Sequence, residues 1–179
     1  MHQLLRPHPE SRSSAAEHVE VVVTQSQPEK LVLAYRVTGK IRDIFIPPVT
    51  RAKRTDELWR HTCFEAFVRG ASGNEYYEFN FAPSTQWAAY RFNGYRSGMC
   101  VTTEVDAPPI DIRSHLRSFT LQTALELNRL SVLPRDAPWH LALSAVIEDK
   151  AQVLSYWALK HPAEKPDFHH AGSFVVELD

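Results

Sequence analysis

From His18 onward the chain is written in short apolar–polar alternations, each only a few residues long and each closed by Pro, Gly, Asn or Ser. A period of two places successive side chains on opposite faces of a pleated strand, whereas an amphipathic helix needs a period near 3.6. The punctuation leaves no window long enough for a helix of several turns. The runs are Val19–Gln25, Leu31–Val37, Thr62–Arg69, Glu75–Phe81, Gln86–Phe92, Phe119–Leu127, His140–Glu148, Val153–Leu159 and Phe174–Leu178, with a weaker one at Ile41–Ile46. Val, Tyr, Phe and Thr fill them, as half-buried pleated surfaces favour. The fold class this predicts is all-β: an antiparallel, jelly-roll-like β-sandwich of about nine to ten strands. Asp111–Leu116 allows at most a turn of helix, and 94–109 reads as a long excursion between strands, where function often resides.

The chain has 179 residues, enough for one domain with a full core. Residues 1–16, rich in Ser, Pro, Arg and His, read as a flexible or surface-lying leader, and 17–179 as a single domain. Hydrophobic residues make up 44% and charged residues 23%, with a formal net charge of −1. That balance gives no general pull toward nucleic acid or an anionic membrane. The short basic run of Arg51, Lys53 and Arg54 reads as a solvated loop. No apolar stretch approaches a signal sequence or a membrane span, so the expected location is cytoplasmic. Cys63 and Cys100, without CxxC spacing, read as two buried thiols in a reducing compartment.

The central runs carry the chemistry. Folding Thr62–Arg69 onto Glu75–Phe81 across a Gly70–Gly73 turn sets Glu65 opposite Glu78, Cys63 opposite Asn80 and Phe67 opposite Tyr76. Extending the meander to Gln86–Phe92 sets Asn80 opposite Trp87, Glu78 opposite Ala89 and Tyr76 opposite Arg91. One face then gathers Glu65, Tyr76, Glu78, Asn80, Trp87 and Arg91. A sugar presents an apolar C–H face and a rim of hydroxyls, so an aromatic platform beside carboxylates, an amide and a guanidinium suits it. Two carboxyls on one face repel unless a cation or a shared proton intervenes.

Leu58-Trp59-Arg60-His61-Thr62-Cys63-Phe64-Glu65-Ala66-Phe67, followed by Tyr76-Tyr77-Glu78-Phe79-Asn80-Phe81-Ala82-Pro83, resembles the DOMON-like domains related to family 9 carbohydrate-binding modules. Tyr156-Trp157-Ala158-Leu159-Lys160-His161-Pro162 and Lys165-Pro166-Asp167-Phe168-His169 are similar to the closing segment of that group. The resemblance implies a β-sandwich that binds sugars or haem. For a sugar it implies tryptophan stacking, with Trp59, Trp87 and Trp157 in or beside the matching segments.

The function expected is therefore a non-catalytic module whose partner is a small molecule, a carbohydrate first, without cofactor or metal. Trp87 or Trp157 would stack, with Arg91, Glu65, Glu78, Asn80, Tyr76 and His161 around the ligand. Two alternatives stand beside it. One is a haem-binding electron-transfer domain, with Met99 and one of His61, His115 or His161 as axial ligands. The other is a protein-interaction domain with no small ligand.

Overall fold

The computed structural model describes residues 1–27, 29–135 and 137–178. Twelve strands run in chain order: β1 (His2–Pro7), β2 (Ala16–Gln27), β3 (Lys30–Gly39), β4 (Cys63–Gly70), β5 (Tyr76–Phe81), β6 (Trp87–Phe92), β7 (Cys100–Val101), β8 (Ile110–Ser114), β9 (Ser118–Glu126), β10 (Trp139–Glu148), β11 (Leu154–Ala158) and β12 (Val176–Leu178). Among the described residues the helices are three single 3-10 turns, Ile41–Asp43, Leu58–Arg60 and Ala171–Ser173. All pairings between named strands are antiparallel, so the all-β antiparallel class stands.

The strands form one hydrogen-bonded path, β7-β6-β5-β4-β10-β11-β1-β2-β3-β9-β8, with β12 beside β10. The sequence suggests a sandwich of separate layers; the structure joins its two halves through β1. Residues 2–5 of that strand pair with β2, while Arg6 and Pro7 pair with β11. His2–Pro7, within the stretch 1–16 read as a flexible or surface-lying leader, forms this corner strand, and its Leu5 is buried in the core. The missed signal was short: one buried position in six residues leaves no alternation to read. Asp111–Leu116, which allowed at most a turn of helix, instead overlaps edge strand β8, whose pattern was as hard to read because it has no fully buried position.

The curled halves share a core. Val19, Val21 and Val23 of β2, Leu31, Leu33, Tyr35 and Val37 of β3, and Phe119 and Leu121 of β9 point inward from one half. Phe64, Val68, Tyr77, Phe79, Leu141 and Leu143 meet them from the other. Tyr35 and Phe64 rings lie 5.1 Å apart, and the Tyr35 hydroxyl donates to the Glu65 main-chain oxygen at 2.7 Å. That bond ties the halves together and satisfies a phenol that is otherwise enclosed by apolar atoms.

The halves differ in what covers their backs. In β3 buried positions alternate with exposed or half-buried ones, the pattern of a sheet with one wet face. In β4, β5 and β6 nearly every residue is buried, so both faces are covered. A second apolar cluster, including Leu58, Phe67, Tyr76, Tyr90, Phe92 and Phe174, lies on the outer face of this half. The connections covering that face build the candidate site.

Candidate functional site

The floor comes from β4, β5 and β10. Glu65 of β4 pairs with Asn80 on one side and Ser144 on the other. The Ser144 hydroxyl donates to Glu65 Oε2 at 3.0 Å, and the Asn80 amide donates to Glu78 Oε1 at 2.6 Å. The Cys63 thiol lies 3.6 Å from Asn80 Oδ1, closing a short polar chain within an apolar surround. Glu65 and Glu78 are 3% and 5% exposed, which makes them buried carboxyls of a kind that rarely occurs without purpose.

Three connections form the walls. The 3-10 turn before β4 brings Trp59 and Arg60, anchored where Tyr90 donates to Asp56 at 2.7 Å. The loop after β6 brings Arg96 and Met99, and the segment after β11 brings Phe168 and His169. Asp167 clamps the last two walls together, accepting from Tyr95 Oη at 2.6 Å and Arg96 Nη2 at 2.8 Å. His169 docks through Tyr76, whose hydroxyl lies 2.8 Å from Nδ1. The cavity between these walls is partly open to solvent and has a volume of about 620 Å³, lined by Glu65 and Glu78 and by Tyr156 of β11.

Burial pushes the Glu65 carboxyl up to about 8, and repulsion from Glu78 adds to the rise. Burial also raises Glu78, to about 7, although the Asn80 hydrogen bond and Arg96 pull it back. Both groups are therefore raised above ordinary carboxyls, and near neutral pH the pair retains proton occupancy that ordinary carboxyls would have lost. Burial pushes His169 down to about 4, with Arg96 adding to the effect. A neutral His169 that accepts the Tyr76 proton at Nδ1 carries its own proton on Nε2, 3.7 Å from Glu78 Oε2. No group of three or more potential metal ligands occurs among the described residues.

The structure gathers part of the set read from the sequence. Glu65 and Glu78 line the cavity, while Asn80 and Tyr76 stand behind them as supports. The register differs from the expected one in two ways. The β4–β5 pairing is slid by two residues, because Gly70 belongs to β4 and pairs with Trp139 of β10, lengthening the turn. A slide of two keeps the faces, so Glu65 opposes Asn80 and Glu78 becomes its diagonal neighbour. The β5–β6 pairing is slid by one, which exchanges the faces. Thr85, with φ of 69°, adds a residue to the turn, and Phe81 pairs with Trp87.

Trp87 and Arg91 consequently leave the site. Trp87 is buried in the central core beneath Arg54, whose guanidinium lies 4.3 Å from the ring centre. Arg54 is itself pinned to the carbonyls of Ala89 and Thr102, unlike the solvated loop residue expected. Arg91 is half-buried on that same face. Trp157 also points into the core, with its indole donating to Ser155. His161 Nε2 donates to the Arg6 carbonyl at 2.8 Å and does not line the cavity. Neither do His61 and His115, the other expected partners of Met99 in the haem reading. Cys63 is buried as expected, but Cys100 on edge strand β7 is exposed.

Sequence reasoning missed Arg96, Phe92, Tyr156, Phe168 and His169 as lining residues. Tyr156 had a usable signal: in a strand only one of Tyr156 and Trp157 can face the core. The loop residues had none beyond their place in a long excursion.

No family model and no curated protein matches the chain. Several solved structures share its fold, two of them as follows. A putative carbohydrate-binding protein from Bacteroides uniformis ATCC 8492 superposes with a TM-score of 0.70 at 13% identity, covering 97% of this chain and 84% of that one. A family 9 carbohydrate-binding module from Caldicellulosiruptor kristjanssonii, in complex with glucose, superposes with a TM-score of 0.52 at 8% identity, covering 97% and 82%. At such identities the likeness is one of fold.

Proposed function

We propose that the protein is a non-catalytic binding module for a small carbohydrate, held in the cavity on the outer face of β4, β5, β10 and β11. The observation that carries this reading is the cavity's composition. Its volume of about 620 Å³ is in the range of small-molecule sites. Aromatic Trp59, Tyr156 and Phe168 supply apolar surface for C–H bonds, and Glu65, Glu78 and Arg96 supply oriented polar groups. Two proteins of the same fold are described by their sugar-binding character, which agrees with this choice. The DOMON-like kinship remains a reading of the sequence motifs. The carboxyls rise side by side from neighbouring strands of one floor. A glycosidase instead places two carboxyls on either side of the scissile bond.

Trp59 is the tryptophan at the cavity, while Trp87 and Trp157 are in the core. A fluorescence titration against monosaccharides and disaccharides tests the reading. Saturable binding is expected, and Trp59→Ala should weaken it about ten-fold, the scale of one lost aromatic contact. Binding that survives Trp59→Ala undiminished would remove this cavity from consideration.

A further inference from the structure

We propose that Glu65 and Glu78 together seat an ammonium group carried by the ligand, so that the sugar bound is an amino sugar with its nitrogen free. The inference deepens the carbohydrate reading and rests on it.

The charges around the cavity are unevenly satisfied. Arg60 is paired with Glu57 at 2.8 Å, and Arg96 with Asp167 at 2.8 Å. Both basic walls thus have their own acidic partners. The floor does not have basic ones. Glu65 accepts from the Ser144 hydroxyl, Glu78 from the Asn80 amide, and no Lys or Arg is within 4.0 Å of either among the described residues. His169 approaches Glu78 Oε2 only to 3.7 Å. Burial, with Arg96 adding to the effect, holds it at about 4, so it is neutral near neutral pH. Two carboxyls more than nine-tenths buried thus face a cavity in which the lining guanidinium of Arg96 is bonded to Asp167 and acts on them only from beyond 4.0 Å, so no Lys or Arg is paired with either carboxyl among the described residues.

Donor counting favours nitrogen over oxygen. Among the described residues each carboxyl keeps one oxygen without a hydrogen bond, Oε1 of Glu65 and Oε2 of Glu78. A sugar hydroxyl has one proton to give, whereas an ammonium has three and brings the positive charge that lets both carboxyls ionise. Diagonal cross-strand neighbours have Cα atoms about 7–8 Å apart, a span one nitrogen can bridge when both side chains lean inward. Trp59 and Phe168 line the same cavity, and aromatic rings attract a cation placed over their faces.

In the empty protein the pair is stabilised by protons. The ammonium takes their place, and those protons leave to solvent. The ionisable groups around the pair do not substitute for it. Arg96 faces it from the loop after β6 and stays charged against Asp167; the Cys63 thiol on β4 is held up by burial. Tyr76 and Tyr90 are phenols that burial raises further, and β10 offers the Ser144 hydroxyl.

Isothermal titration at about pH 6, where such amines are charged, decides the matter. The probes are glucosamine, galactosamine and mannosamine, each beside its parent hexose and its N-acetyl derivative. At least one amino sugar should bind ten-fold or more tightly than both neutral counterparts. Its heat should vary with the ionisation enthalpy of the buffer, reporting proton release, while that of the hexose should not. The Glu65→Gln, Glu78→Gln double variant should bring the ratio of affinities close to one. If that variant does not fold, the buffer dependence of the unaltered protein carries the decision. Hexoses that bind as tightly as the amino sugars, without proton release, would overturn the ammonium seat and leave the sugar module standing. Failure of all nine probes to bind the folded protein would overturn both.

Discussion

Replacing Glu65 by glutamine keeps the side-chain shape and the oxygen that accepts from Ser144, while removing a buried ionisation. Burial and the neighbouring Glu78 hold the Glu65 carboxyl up at about 8, and burial holds Glu78 at about 7. Both are raised above the unfolded chain's carboxyls, so the folded protein binds more protons. Their contribution to stability is complete below the unfolded value and is lost as pH rises through the folded one. His169 has the opposite sign: depressed to about 4, it adds stability as pH rises toward the ordinary histidine value and then adds no more. The interval from about pH 6.5 to 8.5 therefore isolates the carboxyls. At about 1.4 kcal/mol per pH unit, the pair should lose on the order of 2–3 kcal/mol across it. For a chain of this size that is a fall in Tm of roughly 5–10 °C. Glu65→Gln removes the larger share and its repulsion on Glu78, so its fall should be under about 1 kcal/mol, and at the upper pH it should outlast the parent protein. Thermal unfolding by circular dichroism in a pH series measures both. A parent Tm that is flat across this interval, or a variant that falls as steeply, would refute the assignment of buried, proton-holding carboxyls.

Two further outcomes are open to measurement. Tyr35→Phe deletes the buried hydroxyl that joins the sheet halves at the Glu65 carbonyl, and should cost about 1 kcal/mol, read in urea unfolding; an unchanged midpoint would show that this bond contributes nothing net. Asp167→Ala removes the acceptor shared by Tyr95 and Arg96, so amide exchange across residues 93–99 should quicken several-fold with little change in the exchange of β4; equal protection in the variant would mean that the clamp does not hold the wall.

The strand alternation was legible because it follows from local chemistry. Val19, Val21 and Val23, or Leu31, Leu33, Tyr35 and Val37, face the core wherever their strands pair, since the side-chain period of a strand is two. The same rule placed Tyr76, Glu78 and Asn80 on one face of their strand; an assumed hairpin register added Glu65 to it, and a slide of two residues left that grouping intact. Trp87 and Arg91 were lost by a single residue. The left-handed Thr85 lengthens one turn, a choice that local composition did not announce, and every side chain of β6 changes face with it. β1 and β8 gave no periodic signal because each is an edge or corner strand held by pairing more than by burial. The sequence by itself determined an antiparallel all-β chain and a polar cluster at its centre, because binary pattern is local. Only the tertiary structure decided that Glu65 and Glu78 are buried and that Trp59, Arg96, Tyr156, Phe168 and His169 surround them. Those residues lie up to about a hundred positions apart in the chain, and what brings them together is long-range strand order and the folding of three connections over one face of the sheet.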